Sequence, residues 1–129
     1  MSFLLDTCTL FWLVSEPGRI SDQARSVIQE NRDNLFVSAI SAFEFGVKER
    51  KGKFKFPYPA EEWFRRVLKD LGVAQVPINF QIATKSTQLP PHHTDPCDRI
   101  IVATAQEYGM RIITPDPLIQ KYPQAECVW

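Results

Sequence analysis

The chain has 129 residues, 44% of them hydrophobic and 23% charged, and this length suits one domain (1–129) with a sizeable core. Its fifteen Lys and Arg residues balance fifteen Asp and Glu residues, which excludes the overall basic excess of many nucleic-acid-binding proteins. The three scattered cysteines, Cys8, Cys97 and Cys127, lack the C-x-x-C spacing of a zinc or dithiol site and favour the reducing cytoplasm.

Five short apolar stretches are predicted to be β-strands. The first follows Met1 so closely that neither a signal peptide nor a membrane span is expected. Helical spacing of apolar residues lies between the strands, at 24–28 and 63–71, and 98–109 is predicted to be a buried helix ended by Gly109. This alternation predicts an α/β domain with a mostly parallel central sheet flanked by helices. The predicted strands are 3–5, 35–38, 73–77, 111–114 and 125–129.

Four acidic residues stand where predicted strands end or helices begin. Asp6 ends the first strand, Glu44 follows the second, Asp98 opens the buried helix and Asp116 follows 111–114. In a parallel sheet these positions lie along the carboxyl edge of the strands, where ligand sites of such folds occur. We therefore expect the four carboxylates to meet, although they come from distant parts of the chain.

Capping and turn roles are alternative explanations for most of these acids. The stretch 95–98, Asp-Pro-Cys-Asp, has the pattern of an N-cap, an N1 proline and an N3 acid, and Ser41 with Glu44 has that of a capping box. Asp116 also suits a turn. Asp6 is harder to explain in this way, because an unpaired charge at the end of a buried strand is costly.

A cluster of four acids would require a compensating charge. Carboxylates about 5 Å apart repel each other by roughly 3 kcal/mol per pair at an effective dielectric constant near ~20. Oxygen ligands without a convergent set of Cys or His residues favour Mg²⁺ or Mn²⁺ over zinc. Such ions hold phosphate oxygens, lower the pKa of a bound water and stabilise a leaving oxygen, so the pattern indicates chemistry on a phosphoryl compound.

The sequence resembles the PIN-domain ribonucleases, and specifically the VapC-type toxins of bacterial toxin–antitoxin pairs, over essentially the whole chain. The similar segments are LLDTCTLFWLV at 4–14, VSAISAFEFGVKERKGKF at 37–54 and LPPHHTDPCDRIIVATAQEYGMRIITPDPLI at 89–119. Together they carry the family's four acidic positions in the right order. By this resemblance the catalytic, metal-binding residues are Asp6, Glu44, Asp98 and Asp116, and further site residues are Thr7, Asp95 and Thr114.

The resemblance implies hydrolysis of RNA phosphodiester bonds by an activated water, with Mg²⁺ or Mn²⁺ as cofactor. It also implies an RNA substrate, a cognate antitoxin protein and a homodimer as partners. Three positions depart from the family's pattern. Cys8 follows the Asp-Thr pair where His, Asn or an aliphatic residue is frequent, Cys97 stands where an aromatic residue is common, and Pro115 replaces a frequent Arg.

A basic segment lies at the start of the predicted long loop, 51–60. Its cations alternate with Phe54, Phe56 and Tyr58, a pattern that suits phosphate binding and base stacking by RNA. The alternative is a solvated helix end, where cations complement the helix dipole. The candidate RNA-binding residues are Lys48, Arg50, Lys51, Lys53 and Lys55.

The neighbouring His92 and His93 are expected to have a loop role rather than to ligate a metal. Adjacent side chains cannot share a helix face, and a strand would point them to opposite sides.

Two other functions remain open from the sequence. LLDTCTL is similar to the opening of haloacid-dehalogenase-type phosphatases, in which an Asp after a strand is the nucleophile, but that motif needs a second Asp where Cys8 stands. The other is a non-catalytic PIN-like module that binds RNA or protein. Trapping of a phospho-aspartyl group at Asp6 would favour the first, and a folded protein without nuclease activity would favour the second.

Overall fold

The structure, a computed structural model, describes residues 1–53 and 55–129, and within these ranges the chain forms five β-strands and six α-helices. The strands are β1 (Phe3–Leu5), β2 (Leu35–Ser38), β3 (Ala74–Val76), β4 (Arg111–Ile113) and β5 (Cys127–Val128). The helices are α1 (Thr7–Ser15), α2 (Asp22–Glu30), α3 (Ala39–Arg50), α4 (Ala60–Leu71), α5 (Phe80–Gln88) and α6 (Pro96–Tyr108).

All five strands pair in parallel in one sheet of order β3-β2-β1-β4-β5. From β1 the chain builds outward through β2 to β3, and then returns to add β4 and β5 on the other side of β1. The strand order therefore reverses between β1 and β4, and crevices at such switch points are the usual ligand sites of open α/β sheets. The five predicted strands and the mostly parallel sheet are confirmed, with β3, β4 and β5 shorter than expected.

Each face of the sheet packs against its own set of helices. Phe3 and Leu5 of β1 face a core that takes apolar side chains from α1, α2, α3 and α4. Leu4, the residue between them, faces a second core built mainly from α5 and α6. This alternation along one strand explains why the buried strands are apolar throughout: both faces are covered, and each large side chain removed from water contributes about 1.5–3 kcal/mol.

Local sequence sets the ends of the helices that lead into the sheet edge. The Asp95 side chain caps α6 by accepting a hydrogen bond from Cys97 N at 2.9 Å, and Gly109 ends that helix with φ of 64°. The predicted N-cap, N1 proline and C-terminal glycine are thus confirmed. The capping box expected at Ser41 and Glu44 is wrong, because α3 begins earlier, with the Ser38 side chain accepting from Ile40 N at 3.1 Å.

The chain between α3 and α4 contains no helix or strand at 51–53 and 55–59, in agreement with the predicted long loop. Phe54, one of the aromatic residues singled out in that loop, lies outside the described residues. Helix α5 was not anticipated from the sequence. None of the helices formed by residues 1–53 and 55–129 has the length and apolar character needed to cross a bilayer.

Candidate functional site

The four predicted acids come to the carboxyl edge of the sheet around β1 and β4. Asp6 directly follows β1, and its backbone N–H donates to the Ile113 carbonyl of β4 at 3.3 Å. Parallel registration of Leu5 with Ile113 then sets Asp6 beside Thr114, the first residue after β4. Asp116 follows two residues later. The register of β1 and β4 therefore places the residues that follow these two strands, including Asp6 and Asp116, at the same edge of the sheet.

Asp6 is 3% exposed and each of its carboxylate oxygens accepts a hydrogen bond. Its Oδ1 accepts from Thr9 N at 2.9 Å, so the side chain caps α1. Its Oδ2 accepts from Thr114 Oγ1 at 2.5 Å. The Thr114 hydroxyl in turn accepts from Asp116 N at 3.0 Å, so one hydroxyl links the side chain of Asp6 to the backbone of Asp116.

The Cys8 thiol lies 3.5 Å from both carboxylate oxygens of Asp6. Burial, followed by the negative charge of Asp6, raises the pKa of the Cys8 thiol well above its usual value. Cys8 is therefore a neutral, weak S–H donor to Asp6 rather than a thiolate nucleophile or ligand.

Glu44 projects from α3 toward the start of α1. Its Oε1 accepts a hydrogen bond from Thr7 Oγ1 at 2.5 Å, and Thr7 Oγ1 lies 2.8 Å from Ser41 Oγ. A hydroxyl carries one hydrogen, and that of Thr7 is committed to the carboxylate, so Ser41 donates to Thr7. This relay fixes the orientation of Glu44 next to the N-terminus of α1, where Asp6 is the cap.

Asp98 and Asp116 share one partner, His93. His93 Nε2 lies 2.9 Å from Asp98 Oδ2 and 3.1 Å from Asp116 Oδ2. The other oxygen of Asp116, Oδ1, accepts from Leu118 N at 2.8 Å, which is the turn role considered for this residue. Of the described residues, His93, Asp98 and Asp116 form a group in which one potential ligand atom from each lies within 4.8 Å of the others.

Electrostatics shows that the acids act on one another. Burial, and then the charges of Asp95, Glu44, Asp116 and Asp6, raise the pKa of Asp98 to about 8. Burial likewise raises the pKa of Glu44, with smaller contributions from Asp95 and Asp6. For Asp6, burial outweighs the hydrogen bonds from Thr114 and Thr9, and the pKa is raised. Burial and the charges of acids from distant parts of the chain thus oppose the ionisation of Asp98 and Glu44, and burial opposes that of Asp6.

The donor set fits a divalent cation bound by oxygen. The carboxylates of Asp6, Glu44, Asp98 and Asp116 face one edge. Burial disfavours the ionised forms of Asp6, Glu44 and Asp98, and neighbouring negative charges add to this for Glu44 and Asp98, an environment that a cation relieves. Hard oxygen ligands match Mg²⁺ and Mn²⁺. Cys8 and Cys97 lie near these acids, and burial together with the neighbouring negative charges raises the pKa of both thiols, so the set does not have the thiolates that favour zinc.

The structure divides the five candidate RNA-binding cations into groups. Lys48 and Lys53 line a cavity together with Cys8, the residue after Thr7. Arg50 and Lys51 line a different cavity, together with Phe43 of α3. Lys55 is exposed. Through Cys8, which contacts Asp6, the first cavity adjoins the acidic edge, whereas the residues that line the second include neither Cys8 nor any of the four acids.

His93 and Arg99 are the site features that sequence reasoning missed. His93 does lie in a loop, as expected, yet its ring reaches Asp98 and Asp116. The signal available in the sequence was its place two residues before Asp95, the cap of α6. Arg99 is partly buried and donates to backbone carbonyls of the loop that carries His93, a contact no local pattern indicates.

Comparison with known proteins gives a family match over nearly the whole chain. A profile of the PIN domain family matches residues 3–124. Ribonuclease VapC22 of Mycobacterium tuberculosis (strain ATCC 25618 / H37Rv) is 33% identical over 129 residues, which is 98% of this chain and 97% of that relative.

Solved structures with a similar fold include toxin–antitoxin complexes. A toxin-antitoxin complex from Klebsiella pneumoniae is 25% identical, with a TM-score of 0.70 and coverage of 99% of this chain and 97% of that chain. DNA-bound VapBC from Salmonella typhimurium is 17% identical, with a TM-score of 0.73 and the same two coverages of 99% and 97%. At the lower identity the likeness concerns the fold alone. With its profile match, its relative and its sheet order together, the chain belongs to the PIN domain family.

Proposed function

We propose that this protein is a metal-dependent endoribonuclease, with residues 1–129 as its single domain, and that it is the toxin of a toxin–antitoxin pair. The observation that carries the proposal is the group of four half-buried or buried acids at the carboxyl edge of β1 and β4. Thr114 links Asp6 to Asp116, His93 links Asp98 to Asp116, and Thr7 holds Glu44 at the start of α1. The ribonuclease name of the relative that is 33% identical supports RNA as the substrate class.

Asp6, Glu44, Asp98 and Asp116 are the proposed ligands for Mg²⁺ or Mn²⁺. A cation bound there would activate a water, hold a phosphate oxygen and stabilise the leaving oxygen. The chain's own part is to keep the carboxylates oriented: Thr114 holds Asp6, and Thr7 holds Glu44. Asp95 adds negative charge to the same edge while it caps α6.

Lys48 and Lys53 are the proposed phosphate-binding residues. They border the cavity that Cys8 and Phe11 also line, and Lys48 Nζ lies 5.3 Å from the centre of the Phe11 ring. Cations beside an aromatic surface suit single-stranded RNA, because they bind the backbone while bases stack. Arg50, Lys51 and Lys55 stay in the proposal as more distant contributors to the electrostatic attraction of RNA.

An antitoxin protein and a second copy of this chain are the proposed protein partners. The similar solved structures include VapBC and toxin-antitoxin complexes, which supports an antitoxin partner. Exposed apolar side chains such as Phe43 and Val14 offer surface for such contacts. The three cysteines are unpaired thiols, as expected for the proposed cytoplasmic location.

Phosphatase chemistry of the haloacid-dehalogenase type is set aside, since the chain belongs to the PIN domain family and Cys8 stands where the second Asp would be required. The non-catalytic binding module is the remaining alternative. It predicts a folded protein that binds RNA or protein and leaves RNA intact with every metal.

The test is cleavage of a mixed cellular RNA pool by the purified protein with Mg²⁺, Mn²⁺ or EDTA. Asp6→Asn and Asp98→Asn remove ligands without changing side-chain size, and Asp70→Asn, at an exposed position on α4, is the matched control. We expect metal-dependent cleavage by the unsubstituted protein and by Asp70→Asn, and loss of about 100-fold or more in the two ligand variants. Absence of cleavage with either metal, from protein shown to be folded by circular dichroism, would contradict the nuclease proposal.

A further inference from the structure

We propose that His93 is a positioning residue for the metal-binding carboxylates: its Nε2–H group donates to both Asp98 and Asp116, and the ring is not itself a metal ligand. The inference rests on the proposed function, since it concerns how the same acids are kept ready for the cation. It assigns a role to a loop residue that neither the sequence pattern nor the family match singled out.

The hydrogen bonds of the ring decide which nitrogen carries the proton. Asp95 N lies 3.1 Å from His93 Nδ1, and a backbone N–H can only donate, so Nδ1 must be the acceptor. The ring hydrogen of a neutral imidazole is then on Nε2. That nitrogen faces Asp98 Oδ2 at 2.9 Å and Asp116 Oδ2 at 3.1 Å, two acceptors that suit a shared donor.

The same bonds oppose direct ligation by His93, although its Nε2 is close enough to the two carboxylates to suggest it. A neutral imidazole that binds a metal through Nε2 must carry its hydrogen on Nδ1. That hydrogen would point at the Asp95 N–H, so a donor would face a donor. Ligation through Nε2 would therefore break the hydrogen bond between the His93 ring and the backbone N–H of Asp95, the N-cap residue of α6.

Backbone contacts hold His93 in place from the other side. Its own N–H donates to Tyr122 Oη at 2.9 Å, and its carbonyl accepts from Arg99 Nη1 at 3.3 Å. The side chain is 12% exposed. With the backbone fixed and Nδ1 bound to Asp95 N, the ring has little freedom to swing away from the acids.

This arrangement fixes the rotation of the two carboxylates. Asp116 accepts from Leu118 N on one oxygen and from His93 on the other, so both of its oxygens are oriented. Asp98 is oriented by His93 through Oδ2. A carboxylate oxygen has two lone pairs, so each acid keeps capacity for a cation after accepting the His93 bond. Donors to ligating carboxylates of this kind typically change metal affinity by about 10- to 100-fold.

The experiment combines Mg²⁺ and Mn²⁺ titration calorimetry with ¹⁵N NMR of the His93 ring. His93→Ala removes the donor. His93→Gln returns an N–H donor at the end of a side chain of similar reach. His92→Ala is the matched control, because the neighbouring ring packs edge-on against Tyr122 at 5.0 Å and the structure gives it no hydrogen bond to the acids.

We expect His93→Ala to weaken Mg²⁺ binding by about 10- to 100-fold, His93→Gln to recover most of the loss, and His92→Ala to bind as the unsubstituted protein does. In the unsubstituted protein the ¹⁵N shifts should show the hydrogen on Nε2 both before and after Mg²⁺ is added. This spectroscopic readout does not depend on RNA cleavage, and it uses a protein without any substitution at the site.

Transfer of the ring hydrogen from Nε2 to Nδ1 on addition of Mg²⁺ would overturn the proposal in favour of direct ligation. Unchanged Mg²⁺ affinity in His93→Ala would overturn it as well. Absence of Mg²⁺ and Mn²⁺ binding by the unsubstituted protein would overturn both this inference and the metal-dependent function. Metal binding that depends on His93, without any RNA cleavage, would leave the inference standing and contradict the nuclease proposal alone.

Discussion

Threonine hydroxyls orient two of the four acids, Asp6 through Thr114 and Glu44 through Thr7. A hydroxyl fixes the direction of a carboxylate and adds no charge of its own, whereas an Arg partner would neutralise it. Within the described residues, no Lys or Arg forms an ion pair with these acids, and His93 Nε2 is the hydrogen-bond partner that Asp98 and Asp116 share. Among the described residues, no basic side chain therefore neutralises the negative potential of this edge by an ion pair.

Raised carboxyl pKa values predict an unusual pH dependence of stability in the metal-free protein. The pKa of Asp98 rises from 3.8 to about 8 on folding, so between these values the folded chain holds a proton that the unfolded chain has lost. Stability from this group is therefore present at low pH and falls as pH rises through about 8, by no more than about 1.4 kcal/mol per pH unit for one proton. The measurement is urea denaturation in EDTA across this range.

Asp98→Asn supplies the control for that titration. The amide cannot ionise, so the contribution of Asp98 to the slope disappears, while the raised pKa values of Asp6 and Glu44 leave a smaller slope of the same sign. Saturating Mg²⁺ should flatten the dependence in the unsubstituted protein, since a bound cation favours the ionised acids. An identical pH slope in Asp98→Asn and the unsubstituted chain would show that Asp98 is not the titrating group.

The site role of a single residue could be predicted from the sequence when its position in a strand or helix determined its place, and not when contacts between distant parts of the chain did. Asp6 and Asp116 were predictable because each directly follows a buried strand, and parallel strands end at one edge. His93 was not, because a histidine in a loop is positioned only by tertiary contacts, here with Arg99, Tyr122 and Asp95 N. The role of Asp6 as the cap of α1 also went unnoticed, although Asp is a favoured N-cap residue, because its place at the end of a strand directed attention to the sheet edge.

At the level of elements, Arg99 of α6 fastens the segment that connects α5 to α6. Its guanidinium donates to the carbonyls of Ser86, Leu89, Pro90 and His93, at 3.1, 2.8, 3.0 and 3.3 Å respectively. Five fixed N–H donors in one plane suit such a set of acceptors, which a Lys could not match. The loop is thereby tied to the helix that carries Asp98.

Arg99→Met should keep much of the packing of this side chain while leaving these carbonyls without their donor. We expect a loss of about 2–4 kcal/mol in the free energy of unfolding, because several partly buried acceptors lose a charged partner at once. Hydrogen exchange should become faster at the backbone amides of His93 and Asp95. In the intact loop these amides donate hydrogen bonds to Tyr122 Oη and His93 Nδ1, respectively.

Arg99→Lys is the comparison that separates charge from geometry. A lysine keeps the positive charge but offers a single ammonium group, so we expect it to recover less than half of the lost stability. Arg65→Met, on the exposed face of α4 where Arg65 pairs with Glu61, should cost about 1 kcal/mol or less. Equal stability of Arg99→Met and the unsubstituted protein would contradict the fastening role.

The elements were predictable to the extent that apolar patterning marked them. β2 is LFVS with three of its four residues buried, and its predicted bounds match the structure. Helix α5 was missed because only Ile82 and Ser86 of its nine residues are buried and Phe80 is 74% exposed, so its apolar periodicity is weak. The start of α3 was misassigned because Ser38 and Ser41 are both competent caps, and only tertiary structure selects between them.

On the scale of the whole molecule, the zero net charge conceals a separation of charge. Many Arg side chains pair with acids on the surface, as Arg19 does with Glu16 and Arg111 with Glu126. The buried acids, by contrast, lie together at one edge of the sheet, with Lys48 and Lys53 on the adjoining cavity. Under the proposed function, an RNA strand would meet these two lysines next to the group of acids.

Lys48→Gln with Lys53→Gln should weaken RNA binding in the Asp98→Asn background, where cleavage does not interfere. When a phosphate contact is lost, RNA binding releases fewer counterions. The slope of the logarithm of the binding constant against the logarithm of the salt concentration should therefore become less negative by about 0.7 per contact for single-stranded RNA, or about 1.4 for the pair. Fluorescence anisotropy of a labelled oligonucleotide at several salt concentrations measures both the affinity and the slope.

Arg50→Gln with Lys51→Gln is the matched control, because it removes the same charge from a neighbouring surface of α3 and the loop after it. Those two side chains line the cavity beside Phe43, away from Cys8. If RNA binds along the cavity lined by Lys48 and Lys53, the control variant keeps most of the salt dependence of RNA binding. The variant without Lys48 and Lys53 then shows the smaller slope. An equal loss of RNA affinity in the two double variants would mean that RNA responds to the total charge of the segment. That result would contradict the proposal that Lys48 and Lys53 contact the RNA phosphates.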